Sequence, residues 1–347
     1  MFGKSFKIVE PKRFDIYMEE VIFYDGEAII KIDCAAICKA DIRYYLGNRD
    51  KKTLGLKYPM NLIHEAIGTV VLDKSNKFKV GDRVVLVPNI ISKTREKCSH
   101  CVCDDPNLGE NYCPQAIFVS SNYNGFSREY INYPVDNLIK IPDEIESSIA
   151  TFSELISVAV SAYRRLDLSG NETIGIWGDG ILGYIFCSTF NQMHNGKIIA
   201  VGKHEKKLRE FPVHSYYQIG HKNINSEDIL VAYECVGGNA SSLAINEILD
   251  NILVGGKVIL TGVAEDSIAI NTRKILEKGL SIYGVTRSKV TDFEKALVLL
   301  KNESFKQDIS KLILNEMQIR NIVDYYEAFE FERYNKELGK NILHFDL

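Results

Sequence analysis

The amino-acid sequence predicts an α/β protein of two domains, one rich in strands and one in which strands and helices alternate. Its 347 residues are enough for two domains. The first 150 residues carry short runs rich in Val and Ile, separated by Gly, Pro, Asn and Asp, as in strands joined by turns. From residue 151 onward, strand-like and helix-like segments alternate, which predicts a parallel sheet with crossover helices.

The composition is that of an ordinary globular protein, with 46% apolar residues, 25% charged residues and a net charge of −4. Because long basic runs are missing, neither nucleic acid nor a membrane surface is an expected partner. The sequence contains no apolar run of roughly 18 residues and no recognisable signal peptide, so we expect a cytoplasmic protein. Its eight cysteines are then expected as metal ligands or buried thiols rather than in disulfides.

The N-terminal domain, residues 1–150, is expected to form a small barrel-like fold. Strands are predicted at EAIIKIDCAAI, AIGTVVLD and DRVVLVPNI, the last of them entered through a tight turn at Gly81-Asp82. A final segment, residues 290–347, contains the predicted helix DFEKALVLLKN and the strand-like NILHFDL. We expect this segment to return to the first domain.

The second domain, residues 151–289, is expected to be a doubly wound parallel sheet. Pro142-Asp143-Glu144 resembles a helix start, and SSIATFSELISVAVSAYRRL keeps helical spacing. Strands are predicted at TIGIWGDG, KIIAVGK, DILVAYECVGG, GKVILTGV and LSIYGV. Helices are predicted at LGYIFCSTFNQM and NASSLAINEILDNI.

A glycine-rich turn between the first strand and helix of this domain predicts a dinucleotide site. Gly178 allows a tight turn, Gly180 allows close approach of a pyrophosphate, and Gly183 allows the helix to pack on the strand. The helix begins at Ile181-Leu182, whose N–H groups and positive dipole would face the phosphates. The alternative is a glycine turn without a ligand.

The end of the second strand favours NADPH over NADH. An NAD enzyme usually carries Asp or Glu there, about 20 residues after the glycines, to hold the ribose 2′-hydroxyl. Here the strand runs into Gly202-Lys203-His204, with Lys206 and Lys207 following. A lysine attracts a 2′-phosphate, so Lys203 is the predicted contact. The alternative is that these lysines only form a solvated helix start.

Four residues are candidate ligands of a catalytic zinc ion. Cys38, His64 and Glu65 lie in the β-rich half, and Glu154 lies at the domain junction. Thiolate, imidazole and carboxylate are normal zinc ligands, and a catalytic zinc keeps one position open. Taken singly, each has an ordinary alternative as a buried Cys, a hydrogen-bonded His or a surface Glu. The order and spacing of the set point to a metal site, whose fourth ligand is Glu65, Glu154 or water.

A second cysteine cluster predicts a structural zinc site. Cys98, Cys101, Cys103 and Cys113 lie within 16 residues. Tetrahedral thiolate coordination is the natural interpretation of such a cluster in a cytoplasmic chain. His100 and Asp104 are possible replacements for one ligand. The alternative is a redox-active or accidental cluster.

Together these residues resemble the zinc-dependent medium-chain dehydrogenase/reductase family. The motifs that carry the resemblance are Ile37–Asp41, Ile63–Gly68, Lys79–Val84, Gly125–Tyr130, Ser153–Leu155, the glycine turn and Glu234–Gly238. The resemblance implies a GroES-like catalytic domain joined to a Rossmann cofactor domain. It also implies a contact of Val236 with the cofactor.

Within that family, three segments resemble the ribulose-5-phosphate reductases, also called ribitol-5-phosphate dehydrogenases. They are Asp41–Asp50, Ile176–Gly180 and Asn271–Leu280. The resemblance implies NADPH-dependent reduction of D-ribulose 5-phosphate to D-ribitol 5-phosphate, for the CDP-ribitol of teichoic acids or capsules. It further implies a homodimer or homotetramer and association with a cytidylyltransferase of the same pathway.

The doubly charged substrate phosphate needs cations and hydrogen-bond donors, for which arginine is well suited. Arg43, Tyr44 and Arg49 follow the zinc cysteine, and Arg287 lies past the last parallel strand, so these residues are the candidates. Arg43 is the first choice; for each arginine the alternative is a solvated surface residue or a salt bridge.

The chain departs from the wider family pattern at three places. Ala40 replaces the usual Ser or Thr of a proton relay, Leu155 replaces a usual Pro, and the four cysteines have unusual spacing. Two other functions therefore stay open. One is a different polyol or secondary-alcohol dehydrogenase of the same fold, and the other is a metal-binding scaffold without catalytic activity.

Overall fold

The computed structural model describes residues 1–91, 105 and 108–347. These residues form two compact units. The first unit comprises Met1–Glu154, Ser288–Lys306 and Ser310–Leu347, and the second comprises Leu155–Arg287 with Gln307–Ile309.

The first unit is built mainly from antiparallel strands. Those before the second unit are β1 (Phe2–Glu10), β2 (Arg13–Glu20), β3 (Glu27–Ala36), β4 (Met60–Asn61), β5 (Glu65–Asp73), β6 (Arg83–Leu86), β7 (Asn89–Ile90), β8 (Ile117–Phe118), β9 (Tyr130–Pro134) and β10 (Leu138–Lys140). The strands of the second unit are β11 (Ile174–Trp177), β12 (Ile198–Gly202), β13 (Ser215–Gln218), β14 (Val231–Glu234), β15 (Lys257–Leu260) and β16 (Ser281–Gly284). The chain returns to the first unit for β17 (Ile313–Ile319) and β18 (Lys340–Phe345).

The helices are also numbered along the chain. They are α1 (Lys39–Tyr45), α2 (Lys51–Lys57), α3 (Ser147–Ala150), α4 (Ser153–Arg164), α5 (Ile181–Met193), α6 (Glu205–Leu208), α7 (Ser241–Asn251), α8 (Thr272–Lys278), α9 (Val290–Leu299), α10 (Glu303–Ser310) and α11 (Ile322–Tyr334). Within the described ranges, each helix is too short or too polar to cross a bilayer.

Strand β3 is the centre of the main sheet of the first unit, whose order is β10-β6-β5-β3-β18-β17, with β9 also paired to β3. Seven of the ten residues of β3 are buried, and burial alternates along the strand only from Ile30 to Cys34. At its end, Ala36 pairs with Glu65 of β5 on one side and with Ile342 of β18 on the other. The register therefore brings the start of β5 and the last strand of the chain to the same end of β3.

Aromatic side chains anchor the C-terminal helix α11 to the strands of the first unit. The ring of Phe14 lies 4.8 Å from that of Tyr325, 4.9 Å from that of Phe329 and 5.4 Å from that of Tyr45, measured between centroids. The first two pairs are edge-to-face and the pair with Tyr45 is stacked, and such pairs stabilise a core beyond the area that they bury. This cluster holds α11 against the elements that follow Cys38.

The second unit is a parallel sheet with the order β13-β12-β11-β14-β15-β16. All its strand pairs are parallel, and the central strands β11, β12 and β14 are buried along their length. Near-continuous apolar strands are typical of sheets covered on both faces by helices. The predicted fold, a β-rich domain with a doubly wound parallel α/β domain, is confirmed. Strand β13, with the sequence SYYQ, is an addition that the sequence analysis did not predict.

Candidate active site

Cys38, His64 and Glu65 come together at the end of strand β3. Their ligand atoms all lie within 4.8 Å of one another. Cys38 directly precedes α1, while His64 and Glu65 stand at the start of β5, beside the end of β3 in the register. Before His64, Ile63 has a φ of +75°, a left-handed conformation that is rare for a β-branched residue. Such strain is common where a side chain must be aimed at a functional site.

The side chain of Asp41 contacts both Cys38 and His64. Its Oδ2 accepts a hydrogen bond from the Cys38 N–H (2.9 Å), and its Oδ1 accepts one from the Ser120 hydroxyl (2.7 Å). The same Oδ1 lies 3.8 Å from Nδ1 of His64. Burial opposes the charge of Asp41, but His64 and these hydrogen bonds hold its pKa below the ordinary value. One carboxylate thus fixes the backbone of the cysteine and orients the histidine ring.

Glu65 forms a buried ion pair with Lys340 of β18. Nζ of Lys340 lies 2.8 Å from Oε1 and 2.6 Å from Oε2 of Glu65, and both side chains are almost fully buried. Burial disfavours the charge of Lys340, but Glu65 and Cys38 raise its pKa above the ordinary value. Both oxygens of Glu65 are therefore engaged by the lysine in this structure.

Glu154 lies at the start of α4 and is also buried. Burial raises its pKa to about 7, and the Glu65 charge acts in the same direction. Among the described residues, the group of potential metal ligands consists of Cys38, His64 and Glu65, without Glu154.

The chemistry of this donor set fits a zinc ion. A soft sulfur, an imidazole nitrogen and a carboxylate oxygen are its usual ligands. The groups that surround them, with Asp41 Oδ1 3.8 Å from Nδ1 of His64 and Lys340 donating hydrogen bonds to Glu65, give the support that metal ligands generally have.

The glycine turn in the second unit has the geometry of a dinucleotide site. Gly178 has a φ of +138°, and a Cβ there would lie 2.9 Å from the backbone carbonyl carbon of Cys235. A Cβ at Gly183 would lie 2.0 Å from the Gly178 carbonyl oxygen, so only glycine allows α5 to pack this closely. In contrast, among the described atoms none lies within 4 Å of a Cβ built at Gly180. That open space at the start of α5, beside Ile181 and Leu182, suits a pyrophosphate.

Glu234, which the sequence analysis did not single out alone, holds the neighbouring loops. Its Oε1 accepts hydrogen bonds from the N–H groups of Val236 and Gly237, both at 2.9 Å, and its Oε2 accepts one from Gly262 (3.0 Å). The carboxylate thereby fixes the loop that carries the predicted cofactor contact Val236.

Comparisons with known proteins identify the family of the chain. Residues 24–143 match the alcohol dehydrogenase GroES-like domain family. Over 350 aligned residues the chain is 35% identical to ribulose-5-phosphate reductase 1 of Staphylococcus aureus, with 99% of each protein covered. The chain belongs to the medium-chain dehydrogenase family. It is therefore an NAD(P)-dependent dehydrogenase or reductase.

A second relative and a solved structure are also similar over their whole length. The chain is 33% identical to ribulose-5-phosphate reductase of Bacillus spizizenii over 355 residues, with all of each protein covered. The crystal structure of S. aureus TarJ in complex with NADPH is similar with a TM-score of 0.86 and 32% identity, and all of both chains is covered. The predicted GroES-like and Rossmann domains are thus those of the family.

Of the predicted phosphate contacts, Tyr44 and Arg49 lie together. The guanidinium of Arg49 stands 4.9 Å from the centroid of the buried Tyr44 ring. Nζ of Lys57, a residue that the sequence analysis did not name, lies 5.4 Å from the same centroid. Arg43 is half-buried in the last turn of α1. Arg287 belongs to the second unit, with a φ of +62°.

The predicted structural zinc site falls mainly outside the described residues. Cys98, Cys101 and Cys103 are not among them, nor are His100 and Asp104. Cys113 is described, and it is buried directly after a short helical turn, Gly109–Tyr112. The four-cysteine site stays a prediction.

Two residues that support the candidate metal ligands, Asp41 and Lys340, were not predicted from the sequence. Asp41 had a local signal, since it follows Cys38 by three residues at the start of a helix. Lys340 had none, because only the pairing of β18 with β3 brings it to Glu65.

Proposed function

We propose that this medium-chain dehydrogenase reduces D-ribulose 5-phosphate to D-ribitol 5-phosphate with NADPH. The convergence of Cys38, His64 and Glu65 within 4.8 Å is the structural observation that carries a metal-assisted carbonyl reduction. The substrate is inferred from similarity: the reductases of S. aureus and B. spizizenii are 33–35% identical over the full chain.

A zinc ion held by Cys38 and His64, with Glu65, Glu154 or water completing the site, would act as a Lewis acid toward the substrate carbonyl. The protein's own residues prepare that site. Asp41 orients the imidazole of His64 and restrains the backbone of Cys38. Lys340 neutralises Glu65 and holds its carboxylate beside the sulfur and the imidazole. Groups fixed in advance do not have to reorganise during the reaction.

NADPH would supply the hydride, and the glycine turn would bind its pyrophosphate. The similarity to TarJ, whose structure was determined with NADPH, supports this choice of cofactor. So does the strand end of β12, where Gly202 stands in the usual position of an acid and the exposed Lys203 follows. Lys203 is therefore the proposed side-chain contact of the 2′-phosphate.

The substrate phosphate would be bound by cations near α1 and α2. Arg43 and Arg49 are two of the four candidates named from the sequence, beside Tyr44 and Arg287. Lys57 is added from the structure because it lies against the same Tyr44 ring as Arg49. Two cations beside one buried ring provide positive charge in a fixed place, as recognition of a phosphate requires.

A substrate panel with purified protein tests the proposal. NADPH oxidation would be followed with ribulose 5-phosphate, ribulose, other sugar phosphates and simple ketones. We expect turnover of ribulose 5-phosphate and little turnover of ribulose. Preferred turnover of another ketone would identify a different polyol or alcohol dehydrogenase. Failure to turn over any of them would favour a metal-binding scaffold.

A further inference from the structure

The space at the end of β12 is filled by a side chain from the glycine turn. A Cβ built at Gly202 would lie 2.6 Å from Cβ of Asp179 and 3.1 Å from its Oδ2. A strand-end acid at this position would normally contact the ribose 2′-hydroxyl of NAD. Here Asp179 excludes any side chain at Gly202.

The Asp179 carboxylate is directed at the segment that follows β12. Its Oδ2 accepts hydrogen bonds from the N–H of Lys203 (2.8 Å) and the N–H of His204 (2.6 Å). It also lies 2.9 Å from Nδ1 of His204. From β13, Nε2 of Gln218 donates to the Lys203 carbonyl at 3.2 Å. Two side chains from different elements thus fix the conformation of Lys203 and His204.

The charged and polar side chains at the end of β12 differ in their exposure to solvent. The side chain of Asp179 is only 18% exposed, whereas that of His204 is 56% exposed. A histidine whose Nδ1 is held by a carboxylate has a fixed ring orientation, and its Nε2 is left for another partner. The exposed Lys203 and Lys206 flank the ring in the sequence. Lys203, His204 and Lys206 are therefore exposed, and the Asp179 carboxylate is used on the backbone and the ring of this segment. The exposed Glu205 is paired with Arg209.

We infer that His204 binds the 2′-phosphate of the adenosine moiety of NADPH, and that Asp179 is the positioning residue that holds it. This inference rests on the proposed use of NADPH and adds two residues to its recognition. The ligand class is an adenosine 2′-phosphate monoester. Asp179 acts through His204 and does not touch the phosphate.

Two adenosine nucleotides test whether His204 contacts the 2′-phosphate, because 2′,5′-ADP and 5′-AMP differ only in that group. Their dissociation constants would be measured by calorimetry on the full-length protein. His204→Ala is expected to weaken 2′,5′-ADP about tenfold, the effect of one lost charge-assisted hydrogen bond, and to leave 5′-AMP unchanged. His221→Ala, which removes another exposed histidine of the same unit, is the control and should change neither.

Asp179→Ala should weaken 2′,5′-ADP several-fold. Asp179→Asn, which keeps an oxygen for the N–H groups, should weaken it less. The double variant Asp179→Ala/His204→Ala should bind about as His204→Ala does, because residues that act as a unit are not additive.

Several results would overturn the inference. Equal weakening of both fragments would mean that Asp179 and His204 only maintain the loop. Additive losses of binding free energy in the double variant would show that Asp179 does not act through His204. Tighter binding of 2′,5′-ADP to Asp179→Asn would show that the carboxylate repels the phosphate. Wild-type protein that prefers 5′-AMP would overturn the NADPH proposal as well, whereas loss of the ribulose 5-phosphate activity alone leaves these binding measurements standing.

Discussion

Glu65 and Lys340 are 275 residues apart in the sequence, yet they form a buried ion pair beside the candidate metal ligands, with Nζ 2.6 and 2.8 Å from the two carboxylate oxygens. The pair exists because β5 and β18 both lie against the end of β3. The ion pair connects the last strand of the chain, β18, to the candidate metal site, whose residues lie far earlier in the sequence. Its removal should therefore affect the fold and the site together.

We predict that Lys340→Met lowers the free energy of unfolding by about 3–5 kcal/mol, because an unpaired Glu65 carboxylate would stay buried. Lys340→Arg keeps the charge and should cost much less. Arg273→Ala, which removes an exposed ion pair with Glu277, is the control and should cost less than about 1 kcal/mol. Urea unfolding followed by circular dichroism measures all three. A Lys340→Met protein as stable as the wild type would show that Glu65 does not depend on the pair.

Cys38→Ser and His64→Ala should remove one zinc ion per chain and abolish reductase activity while the protein stays folded. The physical reason is that a thiolate or imidazole lost from a three-ligand catalytic site leaves too few donors for tight binding. Cys187→Ala, a change at a buried thiol of the second unit, should keep both metal and activity. Zinc content by elemental analysis and initial rates are the measurements. Wild-type activity in either variant would refute metal assistance.

The parts of the site that lie close together in the sequence could be predicted, and the parts that long-range pairing assembles could not. The glycines from Gly178 to Gly183 are recognisable because a tight turn and close helix packing require that residue type. His64-Glu65 is recognisable because imidazole and carboxylate are usual zinc ligands. Lys340 carries no such mark, since any lysine in a strand looks the same before the register of β18 is known.

The fold, too, could be predicted where the signal is local in the sequence, and not where it depends on long-range contacts. Alternating segments were enough to predict the parallel sheet, because its central strands are apolar runs. Strand β13 escaped prediction because its residues alternate between half-buried and exposed at the edge of the sheet and include two tyrosines in a polar context. Asp179 escaped as a functional residue because sequence spacing cannot show that its carboxylate reaches the end of β12.

The stability of the second unit should depend on pH through Glu172. Although burial opposes its charge, hydrogen bonds from the N–H groups of Ser169 (2.7 Å) and Gly170 (3.0 Å) lower its pKa to about 2 from an ordinary value of 4.5. Since the unfolded chain binds the proton more readily, this contribution is complete above the ordinary value and is lost as the pH falls toward 2.

Glu172→Gln should therefore lower the free energy of unfolding by about 1–2 kcal/mol at neutral pH, because solvent screens this half-exposed carboxylate, and the gap to wild type should narrow in acid. Urea midpoints measured over a series of pH values give the gap. Glu205→Gln, at an exposed ion pair with Arg209, is the control and should change stability by less than about 1 kcal/mol. If the difference in unfolding free energy between Glu172→Gln and wild type stayed constant with pH, the lowered pKa of Glu172 would not be the source of the pH dependence.

Arg43→Ala should raise the KM for ribulose 5-phosphate by about tenfold or more, since about 1.5–3 kcal/mol of charged hydrogen bonding is lost. Any weak activity on ribulose should be nearly unchanged. Arg49→Ala tests the neighbouring cation, which stands against Tyr44. Arg209→Ala, on the surface of the second unit, is the control and should change neither constant. If Arg43→Ala reduced the activity on ribulose 5-phosphate and on ribulose equally, Arg43 would serve cofactor binding or the fold instead.

The four-cysteine cluster should hold a second, structural zinc ion. Four thiolates from Cys98, Cys101, Cys103 and Cys113 would leave a zinc ion no open position for substrate, so this metal would contribute to stability and not to the reaction. Elemental analysis of the purified protein should then find two zinc ions per chain. The double variant Cys98→Ser/Cys101→Ser should lose one of them, keep the initial reduction rate and unfold at a lower temperature. One zinc ion in the wild type, together with free reaction of all four thiols with a thiol reagent under native conditions, would rule the second site out.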